Sequence, residues 1–508
     1  MQAVSADFVA AVQAATRSVA SVVEVAWDGN TWVDETSYLM SHTGTLRLAA
    51  PGDELIAAGE VGAATVTLRN PLVAGQGRRF SWRNAAGPLA SYIATPTGLF
   101  GKPVRIKQGF WVLPEGYIMP MLQTVTIFTG IIYDWEDDPA DNTIMLQLRD
   151  MGYKYLQHKA SSLVQSGLRA DAAIAYYADL AGIPEANRIL DTASHHIPYS
   201  WLDDESLLEE IWEIARAVGG SCYFDQLGKL RFENQIHWAG QATVLWTFAK
   251  TAYKTFRPTY GPDNLANRIV VEWSGRFVGA VDTVYSLGEA KLIRPGETLT
   301  FEARFSNPLF GYVALAASDY KVISAGGVDM TSAVTVALLT ASRYAQRCTV
   351  QVVNSHTTLA ATLIYLHIRG YPLIGGPTEQ ATAEAETNPL PFTRSRAVRG
   401  NMYVQTVVLA EALAKSLLGR YQQLAPLWTL RDVPGVPQLE LGDRVQCQTS
   451  DAIGADVEGF VIEMTWEASA SRGFMQSLTL LDAANLFPYT DYYVIGTTPL
   501  GAYGRAWY

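Results

Sequence analysis

The chain has 508 residues, 49% of them hydrophobic and 17% charged, with 38 Lys and Arg against 49 Asp and Glu for a net charge of −11. That length supplies several hydrophobic cores at the usual ~100–200 residues per domain, and an acidic balance without a Lys/Arg run excludes a module that grips nucleic acid by its phosphates. A charged fraction below the ~25% of an average soluble protein, together with 13 Trp and 25 Tyr, suits surfaces that stay buried against partners.

Asp7 interrupts any export-signal pattern, and no window reaches ~18 uninterrupted apolar residues, so the expectation is a soluble product made without a secretion signal or membrane span. Ser5 is placed to cap a helix whose apolar stripe is Phe8, Val9, Val12, Ala15 and Val19. Strand-like VVEVAW follows from Val22, then a turn at Asp28, Gly29 and Asn30. TLRLAAP, ATVTLRNP, PVRIKQGFWV and a hairpin complete residues 1–150, a small β domain with a leading helix.

Residues 151–254 turn helical and read as an α+β insertion. One helix carries Ala172, Ile174, Tyr177 and Leu180 and stops at Gly182 and Pro184. A second runs from a cap at Asp203 and Asp204 through Leu207, Leu208, Ile211, Trp212 and Ala215 to Gly219 and Gly220. SCYFDQLGKLRFE is then a hairpin turning at 225–228.

Regularly spaced strands from ANRIVVEW to TLIYLHIRGYPL make 255–395 a β-sandwich or barrel. Its polar end, 375–391, reads as a long loop or a linker. Residues 396–485 hold a helix with Val407, Ala410, Ala414, Leu417, Leu418 and Tyr421, then a further β unit. The aromatic tail 486–508 suits an anchor on a partner.

One stretch occurs twice. FTGIIYDWEDDPADNTIMLQLRD at 128–150 and GFVIEMTWEASASRGFMQSLTLLD at 459–482 share a Gly, an alternating strand reaching Trp-Glu, a polar connection and a second strand ending on Asp. Strict alternation puts Ile131, Tyr133 and Trp135 on one face, and likewise Phe460, Ile462, Met464 and Trp466. Upstream, GKPVRI at Gly101 and GDRVQC at Gly442 also match. Two copies about 330 residues apart suggest a duplicated domain split by an insertion.

No catalytic signature accompanies these units, and no catalytic, cofactor-binding or metal-binding residue is assigned. G-x-S-x-G, H-E-x-x-H and G-x-x-x-x-G-K-[ST] are absent, and Pro103 spoils the one near match to a phosphate loop. His195 and His196 lack a further ligand at metal spacing, and Cys222, Cys348 and Cys447 show no C-x-x-C pattern, so they read as core residues. Glu136, Asp137, Asp138 and Asp141 lack the spacing and central Gly of a calcium loop and read as a solvated hairpin tip.

From VTLRNP through FTGIIYDW, LRDMGYKYL and LAGIP to DESLLEEIWEIARAVGGSCYFDQLGKLRFEN, the chain resembles tail-tip or baseplate hub proteins of tailed bacteriophages and related tail-like particles. ANRIVVEW, RPGETLTFEARF, LHIRGYPL and LELGDRV continue the resemblance over nearly its whole length. The resemblance implies a mainly β, multidomain fold with two related tail-tube-like β-barrel domains separated in sequence, an α+β insertion and a β-sandwich. It implies a non-enzymatic virion protein at the distal end of the tail, without cofactors. It also implies a homotrimer that closes the tail tube, matches sixfold to threefold symmetry and forms part of the genome exit channel.

The implied partners are a distal tail protein or tube ring above, a central fibre, tip or receptor-binding protein below, and a tape measure protein, with DNA passing without specific binding. The alternative is a host-surface glycan-binding or cell-wall-degrading tail protein, in which Trp273, Tyr312, Tyr365 and Tyr371 stack on sugar.

Overall fold

The computed structural model describes residues 1–48, 59–81, 84, 86–93, 95, 97–259, 265–385, 392–422 and 426–483, and the tail expected at 486–508 lies outside them. The described chain is mainly β. Helix α1 (Ala6–Gln13) is capped by Ser5, whose hydroxyl accepts the Phe8 amide at 3.1 Å. The helix is shorter than its apolar stripe: Ala15 lies past its end and Val19 opens strand β1 (Val19–Val25). Four valines in those seven residues favour the strand over a further helical turn.

Strands β2 (Leu39–Arg47), β3 (Ala63–Arg69), β4 (Pro103–Val112), β5 (Met121–Asp138) and β6 (Thr143–Asp150) pair antiparallel in the order β2-β3-β6-β5-β4, and β1 extends the sheet beyond β4. Alternate residues of β6, Ile144, Leu146 and Leu148, are buried. Asp150 then caps α2 (Met151–Leu156) by accepting the Gly152 amide at 2.8 Å.

The insertion holds α3 (Ala170–Leu180), α4 (Leu207–Ala217) and the hairpin β7 (Ser221–Phe224) to β8 (Leu230–Glu233). α3 stops where Gly182 turns to φ +71°, with Ile183 N–H donating to the Ala178 carbonyl at 2.9 Å. The cap of α4 is Ser206, not Asp203 or Asp204. Those two carboxylates lie in a short strand at 203–206 paired with 159–161, which leaves the Ser206 hydroxyl to accept the Glu209 amide. The β7–β8 turn is as expected, with Asp225 Oδ1 accepting the Leu227 and Lys229 amides, each at 2.9 Å.

After β9 (Trp246–Phe248) and β10 (Thr255–Thr259), the chain leaves the main sheet for β11 (Arg268–Val278), β12 (Thr298–Arg304), β13 (Val334–Arg343), β14 (Arg347–Asn354) and β15 (Ala361–Glu384). The loop or linker expected at 375–391 is strand as far as Glu384, where β15 is paired with β11 from Gly375 against Arg276 to Glu384 against Arg268, and 386–391 lie outside the described residues. Its polar residues face outward while Ala381 and Ala383 are buried, so pairing with a Val-rich neighbour overrides a turn-rich composition. A separate apolar cluster of Val350, Val352, Leu363, Leu366 and Ile368 lies under these strands.

Helix α5 (Val407–Tyr421) buries Leu409, Ala410, Leu413, Ala414, Leu417 and Leu418, with Thr406 accepting the Leu409 amide at 3.2 Å. Strands β16 (Leu427–Pro434), β17 (Arg444–Cys447), β18 (Val457–Ser469) and β19 (Gly473–Asp482) return to the main sheet in the order β10-β16-β19-β18, with β17 also on β18. Because β18 pairs β2 as well, both β units form one sheet, of thirteen strands among the described residues. One apolar core runs beneath it, from Leu146 and Leu148 through Ile174 and Ile211 of the insertion to Leu478 and Leu480.

Candidate functional site

The two β units match residue by residue in backbone pairing around their shared Gly and closing Asp. On β5 and β6, Gly130 faces Asp150, Ile131 faces Arg149 and Ile132 faces Leu148; Tyr133 then bulges, and Asp134 faces Gln147. On β18 and β19, Gly459 faces Asp482, Phe460 faces Leu481 and Val461 faces Leu480; Ile462 then bulges, and Glu463 faces Thr479. The preceding strands agree as well, since Val104 pairs Gly130 and Val445 pairs Gly459. Gly101 and Gly442, at φ +76° and +81°, donate their amides to Ile132 and Val461 at 2.8 and 2.7 Å. The amides of Ile132 and Val461 donate back to Lys102 and Asp443 at 2.9 and 3.0 Å.

Both bulges correct the expected faces. A bulge puts two residues opposite one and breaks strict alternation, so Ile131 and Ile132 are both buried while Tyr133 is exposed. The shared Trp-Glu is out of phase too: counted from the equivalent glycines, Trp135 matches Met464, and Trp466 lies two positions further along a longer hairpin. Sequence reading missed the outer strands of the repeat. Ala63 and Ala64 of β3 take the places of Leu427 and Trp428 of β16, so side chains gave no signal there and only the pairing reveals it.

Within the chain, the second unit joins the first where β18 lies against β2, with Thr43 facing Glu467, Gly44 facing Trp466, Thr45 facing Thr465 and Arg47 facing Glu463. Arg47 Nε donates to Glu463 at 2.7 Å across the joint. Gly44 lies directly on the Trp466 indole, where a Cβ would come within 2.2 Å of a ring carbon.

Among the described residues, each unit also keeps an unpaired edge at the side away from its joint with the other unit. Beyond Ile132, β5 pairs only β6, and β10 pairs only β16. Opposite the apolar core, the sheet presents Thr43, Thr45, Thr65, Thr67, Thr465 and Ser477, with charges of both signs spread among them, including Arg47, Glu463, Arg149 and Glu467.

The other candidates are placed in packing. His195 and His196 are neighbours of Ser194 and of the Gly167 carbonyl, and no group able to hold a metal occurs among the described residues. Asp137 accepts from Asn70 Nδ2 at 3.0 Å and from the Ser81 hydroxyl, while Glu136 and Asp138 stay exposed on the β5 edge. Trp273 packs on the main core. Tyr312 belongs to the second cluster and donates to the Tyr344 carbonyl at 2.5 Å, so the four proposed sugar-stacking rings form no single platform.

A cluster of titratable groups joins the insertion to the second unit. Glu233 accepts from Tyr223 and Trp238 at 2.7 and 2.8 Å, Arg231 pairs with Asp225 at 2.9 Å, and Asp443 holds the Met1 amine at 2.5 Å. Burial pushes the Asp443 carboxyl up to about 6, opposed by that amine. The cysteines are buried and free. No described helix is long and apolar enough to cross a membrane.

No family model matches the chain, and no curated protein matches it. Solved structures similar to it include tail proteins, two of them from prophages. A tail protein from Neisseria meningitidis is 12% identical, with a TM-score of 0.48 over 92% of this chain and 97% of that one. The 43 kDa tail protein of prophage MuSo2 from Shewanella oneidensis is 11% identical, with a TM-score of 0.47 over 92% and 99%. Prophage tail protein gp18 from Listeria monocytogenes is 7% identical, with a TM-score of 0.40 over 91% and 94%.

Proposed function

We propose that this chain is a structural, non-enzymatic protein of a phage tail, the hub that closes the distal end of the tail tube. Three copies form a ring of six β units that meets a sixfold tube on one side and threefold tip components on the other, and the ring forms part of the genome exit channel. Its neighbours in this reading are a tube ring or distal tail protein, a tape measure protein, and a central fibre or receptor-binding protein.

The observation that carries the reading is the duplicated five-strand unit fused edge to edge within one sheet. Fusing two units in one chain halves the subunit count of a ring while keeping its number of β units, which is what a symmetry adaptor needs. The hydroxyl-rich face of the sheet supports the channel role. A wall of threonines with sparse, mixed charges offers a passing polyanion no run of cations to bind, and a net −11 per chain, roughly −33 for three, repels phosphate.

Native mass measurement and particle imaging test this reading. Three chains in a six-lobed ring with a central opening are the expected outcome. A chain that stays monomeric alone and with tail tubes, or a ring whose lobes are not six, overturns it.

A further inference from the structure

The two unpaired edges are the counterparts of two strands that already pair with each other inside the chain. Equivalence of the units maps β10 onto β2: Thr259, Pro258 and Arg257 pair with Leu427, Trp428 and Thr429 as Thr45, Gly44 and Thr43 pair with Ala63, Ala64 and Thr65. It maps the end of β5 onto β18, with Glu136, Asp137 and Asp138 in the places of Thr465, Trp466 and Glu467. Within the chain, β18 lies on β2; their counterparts, the end of β5 and β10, have no strand on that side among the described residues.

We infer that β5 of one copy pairs antiparallel with β10 of a second copy in the register of the internal joint, setting Glu136 against Thr259, Asp137 against Pro258, and Asp138 against Arg257. This rests on the three-chain reading above and names the contact that closes the ring.

The side chains fit that register in three ways. At the internal joint a bulky Trp466 demands Gly44; at the proposed joint the shorter Asp137, already held by Asn70 and Ser81, leaves room for Pro258. The β5 edge exposes Asp134, Glu136 and Asp138, and the β10 edge exposes Arg257, so opposite charges meet across the strands as Arg47 and Glu463 do internally. Pro258 withholds an N–H from the sheet, a feature of edges that resist indiscriminate strand addition, which leaves charge to select the partner. Each copy gives one edge of each kind, so the contact is head-to-tail and a closed ring pairs both.

Paired cysteines in the full chain test the register. Asp138→Cys with Arg257→Cys is expected to oxidise to a ladder ending at three covalently joined chains, about tenfold more efficiently than the off-register pair Glu136→Cys with Arg257→Cys. The native cysteines are buried and give no background. Asp138→Arg is expected to raise the concentration needed for assembly about tenfold, and adding Arg257→Asp in the same chain restores it. A native mass of three chains with no ladder, with a ladder from the off-register pair instead, or with assembly indifferent to both charge reversals overturns the joint and leaves the three-chain reading standing. A native mass of one chain, both alone and with tail tubes, removes both.

Discussion

At Gly44 an added methyl would lie 2.2 Å from the Trp466 indole, inside the strand pair that holds the two units together. Gly44→Ala is therefore expected to cost about 2 kcal/mol, read as a lowered denaturation midpoint with an unchanged slope. Asp150 answers to pH instead. It accepts the Gly62 and Gly152 amides at 2.5 and 2.8 Å, yet burial outweighs those bonds and pushes its carboxyl up to about 7. Between its ordinary value of 3.8 and about 7, the folded chain binds more protons there than the unfolded chain, so stability rises as pH falls through that window.

Burial also raises Glu210 to about 7, with the same sign, while His42, pushed down to about 4, loses stability as pH falls below 6.5 and opposes part of the gain. The melting temperature is expected to rise from pH 8 to pH 5.5, and by less in Asp150→Asn, as thermal scans at both pH values would register. The sequence pointed to Asp150 as the end of a repeated strand. Its titration was not legible, because burial is a property of the folded neighbourhood.

Elements held by local chemistry were the readable ones. α5 has a regular apolar stripe and a Thr cap, and Thr406→Ala is expected to cost about 1 kcal/mol by urea denaturation. β15 was misread in its second half, because its strand character comes from β11 beside it and not from its own residues. The repeat was legible as a Gly, two apolar residues and a closing Asp. Its bulges and its outer strands, β3 and β16, were not, since backbone pairing constrains the position of a residue and leaves its type open.

The β4–β5 hairpin carries an apolar tip of Leu113, Tyr117, Ile118 and Met119, with Ile118 96% exposed. Nothing in the fold is lost by removing that side chain, so Ile118→Ser is expected to leave stability within about 0.5 kcal/mol in the same denaturation assay.

Among the described residues the apolar interior divides into two large cores and a small cluster of Trp201, Ala345 and Leu373. One core spans both β units and the insertion, and a second lies under β12 to β15. Calorimetry is expected to resolve two transitions, with Leu146→Ala lowering one and Leu363→Ala the other, each by about 2–5 kcal/mol. The domain expected at 151–254 shares the larger core, which no periodicity within its own residues could disclose.

The two hairpins differ in reach. β4 runs on for several residues past the point equivalent to the end of β17, and only that longer hairpin carries the apolar tip. A ring of six identical subunits has no odd and even positions. In the proposed ring of three chains every second position would carry a raised apolar tip, so parity would be written into the covalent chain, and a threefold partner seated there would find three equivalent angular settings where an unmarked ring would offer six.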